Sequence, residues 1–173
     1  MQSDNRSVWS AHYQKEKSKL FVPDENVVRY FSGIFNSSNF SEADWRVLDL
    51  GCGSGRHLHF LRNYSTQVYG MDYAAPALES QAGVVCAISE YIPFEGHSFD
   101  VVLSWGVLHY MNPESVEKTI QEIYRILKPG GAFFGTIRSS NDTHLMDVLS
   151  KGDLKTGQAR LFTEEDVSHL LVA

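Results

Sequence analysis

Apolar and polar positions alternate along the chain in two periods, one helical and one strand-like. Val27, Val28, Phe31, Ile34 and Phe35 recur at helical spacing behind Pro23-Asp24-Glu25, where acids meet the positive helix end. A helix of about twelve residues is therefore predicted there. The polar stretch 36–44 reads as a loop. Val47, Leu48 and Leu50 then form an apolar, strand-like run broken only by Asp49. Glycines at 51, 53 and 55 separate that run from Arg56-His57-Leu58-His59-Phe60-Leu61, the opening of a helix that reaches about Asn63. Further strands are predicted at Gln67–Asp72, Gly83–Ile88, Asp100–Trp105 and Ala132–Ile137, with a short Pro-containing helix over Tyr73–Gln81. The clearest helix opens at Asn112-Pro113-Glu114, carries Val116, Ile120, Ile123 and Leu127 on one stripe, and is stopped by Lys128-Pro129-Gly130-Gly131. Trp9 and Tyr13 share a candidate helix face near the start, and Thr163-Glu164-Glu165-Asp166 reads as another capped helix.

Helix followed by repeated strand–helix alternation predicts an α/β, doubly wound, mostly parallel sheet with helices on both faces. Ligands on such sheets bind beyond the carboxyl ends of the strands, near the point where strand order reverses. Gly51 to Gly55, Asp72, Ile88-Ser89 and Ser104 to His109 all fall at those ends, which implies a single binding crevice. Glycines let the backbone turn tightly against a ligand, and the helix that follows contributes unpaired N–H groups. The 173 residues form one domain, and the composition of 43% hydrophobic and 21% charged residues is that of a globular protein. A net charge of -6 argues against a chain held to nucleic acid by counterion release. Cys52 and Cys86 sit among apolar residues and are expected as two buried, reduced thiols, with no metal-ligand spacing. The polar start has no signal-peptide pattern, and no run reaches the ~20 apolar residues of a membrane span, so a cytoplasmic location is expected.

An acid about twenty residues beyond a glycine turn suits a ribose-containing ligand. The spacing here is Gly-x-Gly-x-Gly, however, and Asp49 lies two residues before the first glycine, which favours a cofactor carrying positive charge over a dinucleotide. No Lys-Ser/Thr pair follows the glycines to hold a nucleoside triphosphate. Val47-Leu-Asp-Leu-Gly-Cys-Gly-Ser-Gly55 resembles motif I of the class I S-adenosylmethionine-dependent methyltransferases. Gly70-Met-Asp72, Ile92-Pro-Phe94 with Ser98-Phe-Asp-Val-Val102, Gly106-Val-Leu-His109 and Arg125-Ile-Leu-Lys-Pro-Gly-Gly131 match the same family in order, over roughly residues 25–138.

The resemblance implies a three-layer Rossmann-like fold that binds S-adenosylmethionine and releases S-adenosylhomocysteine. It divides the chain into a helical cap (1–44), a cofactor-binding core (45–138) and a substrate-side segment with a partial helix (139–173). It assigns Asp72 to the ribose hydroxyls, and Gly51, Cys52, Gly53 and Gly55 to the backbone passing the methionine part. Asp49 orients loop or cofactor, Tyr73 packs on adenine, and the backbone near Ser104 meets the amino-acid end. Ile88, followed by Ser89, stands where family members carry an acid for the adenine amino group. His109 is the candidate base, with bracing of its turn as the other reading. Trp9 and Tyr13 form a lid or ordinary packing, and Arg138 and His144 are candidates for an acidic substrate. His57 and His59 are read as surface or packing residues. The expected reaction is in-line methyl transfer to oxygen or nitrogen of a small molecule. A turnover-impaired regulatory module that binds S-adenosylmethionine, or an RNA or protein methyltransferase, is the alternative. No Asn/Asp-Pro-Pro-aromatic motif follows the fourth strand, which disfavours nucleobase amines. The family's last two strands have no counterpart in the sequence, so either a truncated chain or a homodimer across the fifth-strand edge is expected.

Overall fold

The sheet is built outward from β1 (Arg46–Leu50), where Val47, Leu48 and Leu50 are all fully buried. In this computed structural model, which describes residues 5–35, 45–79, 81–142 and 159–172, β1 pairs in parallel with β2 (Gln67–Asp72) and β4 (Phe99–Ser104). β3 (Val84–Cys86) and β5 (Leu127–Gly135) complete the order β3-β2-β1-β4-β5, and every pairing is parallel. The order reverses between β1 and β4, so the switch point lies at the carboxyl end of β1. Both faces are covered, which accounts for the unbroken buried run Val101-Val102-Leu103.

Strand period two sends neighbouring side chains of β1 to opposite layers. Val47 joins Val27 and Phe31 of α2 (Glu25–Phe35) and Leu58 and Leu61 of α3 (Arg56–Leu61). Leu48 and Leu50 join Met71, Phe99 and, from α4 (Pro113–Ile126), Ile123 and Ile126. Gly70 lets α3 lie close to β2, since a Cβ there would stand 2.8 Å from Leu58 Cδ1 and 2.9 Å from Cys52 Sγ. The predicted caps form. Asn112 Oδ1 accepts from Ser115 N at 2.8 Å. At the start of α5 (Glu164–Val172), Asp166 N donates to Thr163 Oγ1 at 3.1 Å while Thr163 N donates to Asp166 Oδ2 at 2.8 Å. α1 (Asn5–Tyr13) realises the helix marked by Trp9 and Tyr13.

Three expectations change. The helix over Tyr73–Gln81 is a single 3-10 turn, Ala75–Ala77, with Pro76 at its start. β5 begins earlier than expected, with Leu127 opposite Phe99. It then bulges through Lys128–Gly131 and resumes with Ala132 opposite Val101. Cys52 is buried, but Cys86 is exposed, because β3 is a three-residue edge strand with nothing paired beyond it among the described residues.

Candidate active site at the carboxyl end of the sheet

The turn after β1 is fixed by backbone donors. Gly51 N and Cys52 N both donate to Met71 O, at 2.7 and 3.0 Å, which draws the glycine loop across the end of β2. Gly53 N then donates to Asp72 Oδ2 at 2.9 Å, and Ala74 N to Asp72 Oδ1 at 2.8 Å. One carboxylate thus ties the loop after β1 to the turn after β2. Gly53 has φ +52°, and a Cβ there would stand 2.3 Å from the Tyr13 hydroxyl. The helix α1 reaches over this loop: Trp9 packs edge-on to Tyr110 with centroids 4.9 Å apart, and Tyr73 Oη donates to Asn5 O at 3.3 Å.

Two adjoining cavities open at this end. The first, about 350 Å³, is lined by Asp72, Tyr73, Ile88, Ser89, Glu90 and Met111 among others. The second, about 490 Å³, is lined by Asp24, Arg56, His57, His109, Thr136 and Arg138 among others. Trp9, Tyr13, Gly51, Gly106 and Tyr110 line both. Both volumes fall within the ~300–1,000 Å³ usual for ligand pockets. The single crevice read from the sequence is therefore partitioned under α1. Among the described residues no cluster of three or more His, Cys, Asp or Glu could hold a metal ion, and no helix is long and apolar enough to cross a membrane.

A family model described as a methyltransferase domain matches residues 48–135, from β1 to the end of β5. The chain belongs to this methyltransferase family. It is 32% identical over 133 residues to a malonyl-[acyl-carrier protein] O-methyltransferase of Enterobacter lignolyticus, covering 73% of this chain and 52% of that one. It is 32% identical over 90 residues to a probable tRNA methyltransferase 9B of Bos taurus, covering 49% and 19%. An S-adenosylmethionine-dependent methyltransferase of Thermotoga maritima, described as a possible histamine N-methyltransferase, shares the fold. Its TM-score is 0.67 at 21% identity, with 96% of this chain and 78% of that one covered. The chain spans 19% to 52% of the length of the curated relatives it matches.

Within this methyltransferase domain the expected residues do not all face open space. Gly51, Asp72, Tyr73, Ile88 and Ser89 line the first cavity, and Cys52 and His109 the second. Gly53 is covered by Tyr13, and Gly55 by Gln81, whose Nε2 donates to Gly53 O at 3.2 Å. Ser104 lines neither cavity. It is fully buried, and its carbonyl accepts from Thr136 N at 3.1 Å, so the wall at this point is made by the next residues, Trp105, Gly106 and Val107. His57 is packed and lines the second cavity, while His59 is exposed. His144 lies outside the described residues.

The sequence reading missed Glu90 and Arg56. A turn closed by Tyr91 N to Ile88 O brings Glu90 back to the wall where Ile88 stands, and its Oε1 accepts from Ser115 Oγ at 2.7 Å. An acid thus borders this cavity two residues after the position that motif register assigned. The Ser-Glu pair at 89–90 was the available signal. Arg56 carried none beyond its place after the glycines.

Asp49 is buried behind the loop, and its Oδ2 has no hydrogen-bond partner; His57 Nδ1 is 3.8 Å away. Burial, reinforced by the charge of Asp72, pushes its pKa up to about 7, with Arg56 pulling the other way. Burial also raises Asp72, against the backbone N–H groups of Ala74, Gly53 and Tyr73. His57 and His109 are pushed down to about 4, by burial first and then by Arg56 and Arg138 respectively. Both imidazoles are neutral at pH 7. His109 keeps a hydrogen bond to the Thr136 backbone, while its Nδ1 has no partner.

Proposed function

We propose that the paired cavities bind S-adenosylmethionine and a small-molecule acceptor, and that the domain transfers the methyl group to an oxygen or nitrogen of that acceptor. The observation that carries this reading is the pair of buried carboxylates, Asp49 and Asp72, with Asp49 Oδ2 unpartnered. Two desolvated acids so close together favour a cationic ligand. S-adenosylmethionine, when bound, supplies a methyl already activated by its sulfonium charge.

The chain's own residues then bind, orient and exclude water. Asp72 retains lone pairs for ribose hydroxyls after accepting from Gly53 and Ala74, and Tyr73, Ile88, Ser89 and Glu90 border the adenine side. Trp9, Tyr13 and Tyr110 close the region common to both cavities. The unpartnered Nδ1 of His109 accepts a hydrogen bond from the acceptor's hydroxyl or amine and turns its lone pair toward the donor. The acidic net charge of -6 supports a small acceptor over RNA.

Calorimetry with S-adenosylmethionine, S-adenosylhomocysteine and NAD, followed by tritiated methyl transfer to a metabolite pool and to tRNA, tests the reading. Binding of the first two but not NAD, with label passing to small molecules, is expected. Binding without any transferable label would favour a regulatory module, label on tRNA would replace the small acceptor by RNA, and no binding would defeat the proposal.

A further inference from the structure

The second cavity holds chemistry that methyl transfer alone does not require. Arg56 borders it near His57, and Arg138 near His109, each close enough to lower the neighbouring imidazole's pKa. The acid on the same wall, Asp24, is occupied by its own helix, with Oδ1 accepting from Asn26 N at 3.0 Å and Asn26 Nδ2 at 3.3 Å. Arg138 is held by Asp142, with Nη1 donating to Oδ2 at 2.9 Å, and its side chain is 48% exposed. His57 and His109 are each only 3% exposed, line the cavity, and keep Nε2 and Nδ1 respectively without a partner.

We infer that this cavity selects an acceptor carrying a carboxylate, bound at the guanidinium groups of Arg138 and Arg56, with a hydroxyl or amine on the same molecule meeting His109. The inference rests on the methyltransferase reading above and adds the charge of its acceptor. Guanidinium presents a planar fork of donors that matches a carboxylate. The imidazoles, being neutral, offer acceptor nitrogens to the acceptor's polar hydrogens. A carboxylate reaching Arg138 displaces Asp142 from it, so the internal ion pair occupies the arginine until the acceptor arrives. The small volume, about 490 Å³, and aromatic walls such as Trp9, Trp105 and Tyr110 fit a compact molecule.

The test uses the full chain saturated with S-adenosylhomocysteine, whose own binding is measured first and reports on the parent reading separately. Salicylate, 3-hydroxybutyrate and glycine are titrated calorimetrically against their neutral amides. The carboxylates are expected to bind and the amides not. Arg138→Gln should weaken carboxylate binding about 10- to 100-fold, the scale of one charge-assisted hydrogen-bonded contact, with Arg138→Lys restoring part of it. Asp142→Asn should tighten it, a gain that misfolding cannot mimic. Affinity for S-adenosylhomocysteine should be unchanged in all three variants. Equal binding of amides and carboxylates, unchanged affinity in Arg138→Gln, or binding of an RNA hairpin with all carboxylates inert would each overturn the inference.

Discussion

Asp72→Asn separates two functions that one side chain combines. Asp72 is 9% exposed and accepts from Gly53 N at 2.9 Å and Ala74 N at 2.8 Å. Asparagine has one acceptor oxygen, so whichever way its amide turns, an NH₂ group faces a backbone N–H. One charge-assisted bond is lost, and one amide, that of Gly53 or Ala74, stays desolvated and unpaired. The loss is partly offset because the neutral amide escapes the burial cost that raises the Asp72 pKa. The net expected destabilisation is about 1–3 kcal/mol. For a chain of this size that is a melting-temperature drop of roughly 2–12 °C. If Asp72 also holds the ribose hydroxyls, affinity for S-adenosylhomocysteine falls as well, by about 10- to 100-fold at temperatures where the variant is fully folded. Thermal melts and calorimetry read the two effects separately. A melting drop with unchanged affinity would reduce Asp72 to a clamp for the glycine loop. Lost affinity with an unchanged melt would mean that the two backbone hydrogen bonds contribute nothing to stability, and the reasoning from them would fail.

Other consequences follow from the same geometry. Cofactor affinity should rise with pH through about 7 and level off above it, because a cationic ligand favours the ionised form of Asp49, whose pKa is held near 7. Titrations from pH 6 to 8.5 check this, and a flat profile equal to that of Asp49→Asn would refute it. Stability should fall on acidification between about 6.5 and 4, where the unfolded chain protonates His57 and His109 and the native chain, with both near 4, does not. Asp49 works in the opposite direction between 3.8 and about 7, since its native pKa is raised, and Asp72, also raised by burial, works the same way, so the two histidines act against two acids. Urea midpoints at pH 7 and 5 measure the balance, and His57→Gln should flatten the dependence. Gly70→Ala should cost about 1–3 kcal/mol by overpacking against Leu58 and Cys52. A variant as stable as the parent in urea would show that α3 can shift away from β2.

The layers of the fold were legible because local pattern and burial agree. Val27 and Phe31 of α2, Val116 and Ile123 of α4, and the central run of β1 were read from spacing and are buried. The Asn112 cap is likewise a local event, settled within three residues. Misreadings arose where a distant segment decides. The glycines at 53 and 55 read as room for a ligand, yet Tyr13 covers one and Gln81 the other. No spacing rule announces either neighbour. Cys86 looked like core beside Val84 and Val85, but its exposure follows from strand order, which a single strand does not encode. Glu90 was passed over because the motif register ends at Ile88, and only the turn back through Tyr91 returns it to the cavity.

The register of β1 and β2 explains why two acids at neighbouring strand ends differ so sharply. Leu50, the last residue of β1, stands opposite Met71, so Asp72 extends one residue past that pairing, beneath the glycine loop as it crosses. There it meets the donors of Gly53 and Ala74. Asp49 stands opposite Gly70, one pair deeper, where strand backbone is already paired and no donor reaches its Oδ2. Two steps of register thus make one carboxylate a hydrogen-bonded clamp and leave the other a buried, unsatisfied acid. An unsatisfied acid in that position weakens the empty protein, because burial opposes its charge. If the proposed cationic ligand fills the adjoining site, it favours the ionised form of Asp49, and part of that unfavourable contribution is offset on binding.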